Sequence, residues 1–259
     1  AGKGTRMKSD LPKVLHPLAG KSLIDRVLSC TQGLNAEKQL IVVGHQAEVV
    51  RKSLRNYKDL DFVLQEPQKG TGHAVQQISP QLKGFNGELL VLNGDVPLLQ
   101  EKTLSSLIKF HKESNSSVTF LSASLESPTG YGRVFTNDSG LVEEIIEERD
   151  CNKEQRKNKL INAGIYCFNW PQLSDVLNSL SNQNSQNEIY LTDTISLLKK
   201  ALHFEVDDPF EVQGINDRCQ LSECERYIQD KLKSYWMRKG VSFIDPTSCS
   251  LSEESSFGT

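Results

Sequence analysis

The opening residues, AGKGTRM, put Gly2 and Gly4 within one turn of Thr5 and Arg6, and Lys13 follows Arg6 by seven positions, directly behind Pro12. Glycines let backbone amides approach an anion closely, successive N–H groups form an anion-binding nest, and two cations can complete it with charge. The chemistry on offer is phosphate binding, although a glycine turn with cations nearby is more often an ordinary loop. Two other phosphate motifs fail here. The dinucleotide fingerprint needs glycine where Met7 stands, and LHPLAGKS carries Leu15 in place of the first Walker A glycine.

Asp95, in VLNGDVP, directly follows an apolar run, which places it with Asn93 and Gly94 at the carboxyl edge where open α/β sheets bind ligands. An ionised carboxylate is a hard oxygen donor that suits Mg²⁺ on a nucleotide phosphate; the plainer alternative is a loop cap before Pro97. EPQKGTGHA offers a second tight loop at Gly70, Thr71 and Gly72, where a flat ring or a ribose could lie against backbone amides. His73 there is a possible base, though a histidine at a helix start is more often structural. PTGYGRV sets Gly130 and Gly132 around Tyr131 and reads locally as a hairpin turn. Glu147 belongs to an acidic run that a solvated strand face would also explain. Asn162 and Asn216 could read sugar hydroxyls or complete a metal shell, or could simply cap turns. No Ser/His/Asp or Cys/His constellation stands out, which argues against covalent catalysis.

These residues need a scaffold, and β-type runs at Gln39–Val43, Asp61–Gln65, Glu88–Asn93 and Ser117–Ala123 recur every 22 to 30 residues between helical stretches. Continuous rather than alternating apolar strands suit a parallel sheet covered on both faces. Beyond Glu126 the alternating runs Gly132–Thr136, Leu141–Glu147 and Leu160–Phe168 read as antiparallel or mixed additions to one sheet edge. Helices are expected at Ser22–Gln32, Gln46–Arg55, Gly72–Ile78, Glu101–Lys112, Pro171–Leu180, Asp193–Leu202 and Arg218–Lys239, the last with an amphipathic stripe that packs. With 30 basic and 33 acidic side chains the net charge is −3, which disfavours a nucleic-acid partner. Apolar runs of four residues fall far short of the ~20 needed to cross a bilayer. The six scattered cysteines form no C-x-x-C pair and read as reduced cytosolic thiols. The chain opens directly on a glycine loop, so a preceding strand is expected to be missing, and a linker is expected from about Ser242.

Taken in order, GKGTRM…LPKVLHPLAGKSL, LQEPQKGTGHA, LNGDVPL, PTGYGRV, EEIIEERDC, LINAGIY, YLTDTI and QGINDR…LSECER closely resemble the uridyltransferase half of the bacterial bifunctional N-acetylglucosamine-1-phosphate uridyltransferase/glucosamine-1-phosphate acetyltransferases. The resemblance runs from Ala1 to about Asp245. It implies an α/β, Rossmann-like nucleotidyltransferase fold with a mixed, mostly parallel sheet and helices on both faces. Residues 1–240 would form this domain, and 241–259 would be a linker and the start of a left-handed β-helix through which the full-length protein forms homotrimers. The implied reaction is Mg²⁺-dependent transfer of UMP from UTP to N-acetylglucosamine 1-phosphate, giving UDP-N-acetylglucosamine for cell-wall synthesis in the cytoplasm, with no membrane insertion.

Carried over by motif, Ala1, Gly2 and Gly4 would hold UTP, and Arg6 and Lys13 would act on its phosphates as the catalytic cations. Gln65, Gly70 and Thr71 would contact uracil and ribose. Asn93 and Gly94 would line the substrate site beside Asp95, which with Asn216 would ligate Mg²⁺. Gly132, Glu147, Asn162 and Tyr131 would hold the N-acetylglucosamine moiety. The sequence departs from the family pattern at Asn93, where many members have Tyr, at Ala163, where many have Thr, and at Arg149, which replaces a Lys.

Overall fold

The computed structural model describes Gly2 and residues 4–258. Its strands are β1 (Pro17–Leu18), β2 (Lys21–Ser22), β3 (Gln39–Val43), β4 (Leu60–Leu64), β5 (Glu88–Val91), β6 (Val118–Ser124), β7 (Gly132–Thr136), β8 (Val142–Ile146), β9 (Leu160–Asn169) and β10 (Ala201–Glu205). The helices are α1 (Leu23–Ser29), α2 (Ala47–Ser53), α3 (Thr71–Gln76), α4 (Glu101–Ser114), α5 (Trp170–Leu177), α6 (Thr194–Leu197) and α7 (Arg218–Arg238).

The larger sheet runs β10-β6-β9-β7-β8, and β5 also pairs with β9. β5, β6 and β7 each lie antiparallel to β9, while β10 is parallel to β6, so β5, β6, β7 and β10 share one direction. β3 and β4 form a separate parallel pair in register Gln39↔Leu60. Leu40 and Val42 of β3 and Val63 of β4 nevertheless pack into the same core as Leu89, Val91, Phe120 and Phe168. The opposite side of the sheet is covered by α4, whose Leu104 and Leu107 meet Leu121, Ile165 and Cys167.

Three expectations are corrected. β9 does not extend an edge; it lies between β6 and the pair β5 and β7. Its residues are almost all buried, on both faces, and a strand with two apolar faces is stable only where both are covered. The helix expected over 193–202 shrinks to α6, and its last residues begin β10, a strand not anticipated. There Ala201 to Glu205 pair with Val118 to Ser122, and that ladder outweighs the helical pattern of Leu197 to Lys200. The turn at Pro128–Tyr131 also leads into β7 rather than joining two strands. The β7–β8 hairpin turns instead at Asn137–Gly140, where Asn137 Oδ1 accepts from Ser139 and Leu141.

Residues 241–258 have no helix or strand but fold back on the domain. Gln229 bonds both backbone groups of Leu251, Glu253 pairs with Arg26 at 2.9 Å, and Phe257 meets Trp236 edge-on. Among the described residues, no helix is long and apolar enough to cross a membrane.

Candidate active site

The glycine loop at the amino end is anchored by a buried side chain. Met7 is 1% exposed and sits among Leu18, Leu23, Ile215, Cys224 and Ile228, so the loop is pinned to α1 and α7. Arg218 Nε donates to the Met7 carbonyl at 3.0 Å. Gly4 takes φ +57, and a Cβ there would press on Lys13 at 2.8 Å, so glycine is required for both conformation and close approach. Gly2 and Arg6 are exposed on the same loop. The expectation for Ala1 lies outside the described residues.

Lys13 is the point of convergence. Its Nζ pairs with Asp95 Oδ2 and donates to Asn216 Oδ1 at 3.1 Å, joining residues 82 and 203 positions away. Asp95 follows β5, and its own carbonyl accepts from Ile215 N at 2.9 Å, which ties the LNGDVP loop to the segment carrying Asn216. Gln220 Oε1 accepts from Asn216 N at 2.7 Å. Asp217 caps α7 by accepting from Cys219 and Gln220, so this helix start is fixed immediately beside Asn216. The donor set is one carboxylate and one amide oxygen, both facing a single cationic nitrogen. Hard oxygens already gathered round a positive charge fit a hard divalent cation.

Gln65, 2% exposed, holds the second loop from inside: its Nε2 donates to the Gly70 carbonyl at 2.9 Å and lies 3.1 Å from His73 Nδ1. His73 is thereby a structural histidine, its other ring nitrogen meeting Gln77, and burial lowers its pKa. Gly70 has φ +108, and a Cβ would meet the Ile189 carbonyl at 2.5 Å. Gly72 N donates to that carbonyl, and Thr71 Oγ1 accepts from Leu191 N at 3.0 Å. The GTGHA loop is therefore clamped to YLTDTI, which the residue-by-residue reading had not singled out.

Gly132, Glu147 and Asn162 meet at one corner. Gly132 faces Asn162 across the β7–β9 ladder, and a Cβ on Gly132 would lie 3.5 Å from Glu147 Oε2. Asn162 donates to Tyr166 Oη at 2.6 Å and accepts from Gly164 N, and Asn93 lies against Gly164. Glu147 is half-buried rather than on a solvated face, and its Oε1 accepts from Thr192 at 3.1 Å. Burial raises its pKa, with Asp193, Asp150 and Glu188 adding repulsion against the Thr192 hydrogen bond. Tyr131 Oη accepts from Gly214 N at 3.2 Å, and burial pushes its phenol up. Gly94 packs under Val14 and Ile24, at the start of the glycine-loop side of the site.

Residue reasoning also missed Arg133. It is 2% exposed, donates to the Tyr131 carbonyl and pairs with Glu148 at 2.6 Å, so it links the neighbours of Gly132 and Glu147. Its signal was adjacency alone, since a cation directly after a strand-opening glycine suggests no particular role.

The sequence profile of the nucleotidyl transferase family matches residues 1–237. The chain is 82% identical over all of its 259 residues to the Bifunctional protein GlmU of Prochlorococcus marinus strain NATL2A. It is 59% identical over 258 residues to the protein of that name from Synechococcus sp. strain CC9902. It spans 58% and 57% of those relatives' lengths. Among solved structures, UDP-glucose pyrophosphorylase complexed with UDP-glucose superposes with a TM-score of 0.67 at 19% identity, over 89% of this chain and 96% of that one.

Proposed function

The chain belongs to the nucleotidyl transferase family, and we propose that it transfers UMP from UTP to N-acetylglucosamine 1-phosphate, forming UDP-N-acetylglucosamine and pyrophosphate. The observation that carries the reading is the meeting of Lys13, Asp95 and Asn216 beside a glycine loop. A cation and two hard oxygens at a phosphate-binding turn serve phosphoryl transfer, and the family resemblance supplies the substrates.

In this reading a phosphate oxygen of the sugar phosphate attacks the α-phosphorus of UTP in line. The new O–Pα bond forms as the bond from Pα to the bridging oxygen breaks, and pyrophosphate leaves with that electron pair. The attacking group is already an anion, so no general base is needed. The barrier lies in bringing two anions together, which is a task of positioning and charge neutralisation. Gly2, Gly4 and the backbone around them cradle the triphosphate, while Arg6 and Lys13 neutralise it. Lys13 exchanges its present partners for phosphate oxygens. Asp95 and Asn216 would hold Mg²⁺, which when bound neutralises phosphate charge. Gln65, Gly70 and Thr71 define the base and ribose subsite. Gly132, Glu147, Asn162 and Tyr131 define the sugar subsite, with Asn93 beside them.

Residues 1–240 are read as the transferase domain and 241–259 as the link toward a further domain, which in the whole protein would carry acetyl transfer and trimer contacts. A cytoplasmic role in supplying cell-wall precursor belongs to the same reading. The test is pyrophosphate release across UTP, CTP, ATP and GTP with several hexose and N-acetylhexosamine 1-phosphates. A clear maximum for UTP with N-acetylglucosamine 1-phosphate is expected. A maximum for UTP with glucose 1-phosphate would instead assign a different sugar nucleotide.

A further inference from the structure

Away from the glycine loops, the α4 side of the sheet carries a second polar cluster inside an apolar layer. Cys167 on β9 lies opposite Leu90 of β5 and Thr119 of β6. Side chains two apart share a face, so Glu88 projects on the same side as Leu90 and Cys167. His111 of α4 enters this face, where its Nε2 lies 2.8 Å from Glu88 Oε2 and its Nδ1 3.0 Å from Thr119 Oγ1. Thr119 is held in turn by Ser116 Oγ at 2.9 Å. Among the described residues, Glu88, His111 and Cys167 are one group whose carboxylate oxygen, imidazole nitrogen and thiol sulfur all lie within 4.8 Å of one another.

We propose that Glu88, His111 and Cys167 form a binding site for one zinc-class divalent ion, separate from the Lys13–Asp95–Asn216 centre. Thiolate, imidazole and carboxylate are the donor types that Zn²⁺ takes, and three protein ligands leave a fourth position for water. Ligands of a tetrahedral zinc sit roughly 3.4–3.6 Å apart for Zn–N, Zn–O and Zn–S lengths of roughly 2.1, 2.1 and 2.3 Å, so atoms now within 4.8 Å of one another need only draw in modestly while the 2.8 Å contact between His111 and Glu88 opens to admit the ion. Thr119 and Ser116 supply the outer hydrogen bonds that fix an imidazole toward a metal. Access comes from Glu88, whose side chain is 28% exposed while His111 and Cys167 are buried. Glu88 opens β5, whereas Asp95 lies beyond its far end, in the loop that follows Val91, so the two centres sit at opposite ends of the strand.

Charge and protons balance. Two anionic ligands offset the dication, so a neutral unit is buried, which the low dielectric favours over an isolated charge. The thiol proton leaves to solvent, and the imidazole proton sits on Nδ1, where Thr119 Oγ1 accepts it. Because the thiol must give up its proton to bind, binding tightens as pH rises.

The experiment titrates the full 259-residue chain, stripped of metal, with Co²⁺ and then Zn²⁺ while recording optical spectra and melting temperature. One equivalent of Co²⁺ should produce a near-ultraviolet thiolate-to-cobalt charge-transfer band, which Zn²⁺ displaces and excess Mg²⁺ does not. Zn²⁺ should raise the melting temperature. Cys167→Ser should abolish the band, Cys219→Ser and Asp95→Asn should retain it, and Glu88→Gln should weaken Co²⁺ affinity at least tenfold. Should Cys167→Ser fail to fold, Glu88→Gln decides, because its site is at the solvent edge. Absence of the band, or a band unaltered by both Cys167→Ser and Glu88→Gln, overturns the proposal.

Discussion

Lys13 holds two oxygens that would repel a nucleotide if left bare, so the resting site stores its own counterion. Asp95→Asn should therefore lower kcat by at least the roughly hundredfold associated with losing one electrostatic stabiliser. The chain should still fold, since the asparagine amide keeps an oxygen acceptor for Lys13 at this part-buried pair. Steady-state rates at saturating Mg²⁺, set against a melting curve, check this; a near-normal rate would remove Asp95 from the chemistry. Glu147 is the residue whose environment makes a pH prediction. Its folded pKa is raised, so it is ionised only above that raised value and loses its acceptor charge as pH falls through it. KM for the sugar phosphate should climb on that descent, while KM for UTP stays level. Glu147→Gln should flatten the profile. Because the ionised form is the one penalised by burial, the same substitution should not lower the melting temperature at pH 7.

The corner proposed to hold the sugar lies where β7, β9 and the end of β8 meet, and Arg133 of β7 ties it to Glu148 just beyond β8. Cutting the guanidinium from its partners leaves Glu148 half-buried without a cation, a loss of about 3 kcal/mol or more where a buried pair is broken. Arg133→Met should thus lower the melting temperature and raise KM for the sugar phosphate more than for UTP. Arg133→Lys should recover stability better than KM, because one ammonium cannot serve both the Tyr131 carbonyl and Glu148 as a planar fork does. Equal changes in both KM values would make Arg133 a purely structural residue. Elements of this kind were unevenly legible. β3, β5 and β6 could be read from continuous apolar runs and β7 from its alternation, and β3 and β7 were read to the residue. β10 was hidden because Ser196 to Leu202 satisfies a helical stripe until β6 captures it. The central place of β9 was hidden because alternation does not say which neighbours a strand will have. Ordered motifs singled out Lys13, Asp95 and Asn216, which the structure brings together. The clamps that hold the candidate site, Ile189 and Leu191 on the Gly70 loop and Gln220 on Asn216, are contacts across more than a hundred residues or within a cap, and no local pattern encodes them.

At the scale of the whole molecule, the site is assembled from segments near both ends of the chain, and this determines how ligand and stability are coupled. Gly4 and Arg6 lie on a loop pinned through Met7 to α7, and Asp95 is bonded through its carbonyl to Ile215. Asn216 opens the segment that α7 continues, and the tail returns to α1 through Glu253. A triphosphate bridging Arg6, Lys13 and the Asp95–Asn216 pair would tie together the first, middle and last thirds of the sequence. Such binding is lost when the chain unfolds, so it adds RT ln(1 + [L]/Kd) to stability, about 2.7 kcal/mol at a hundredfold excess over Kd. At roughly 2–4 °C per kcal/mol for a domain of this size, the melting temperature should rise by about 5–10 °C with UTP and Mg²⁺. Two controls separate the site from general nucleotide effects. CTP at equal concentration should shift the transition less, because in the proposed function Gln65 and the Gly70 loop form the base subsite, and a subsite built for one base edge leaves polar groups unpaired with another. Asp95→Asn should lose the part of the shift that depends on Mg²⁺ while keeping the part that UTP produces alone. An identical shift for UTP and CTP, or a Mg²⁺-dependent shift that survives Asp95→Asn, would mean that the nucleotide is held elsewhere and that the convergence on Lys13 serves the fold instead.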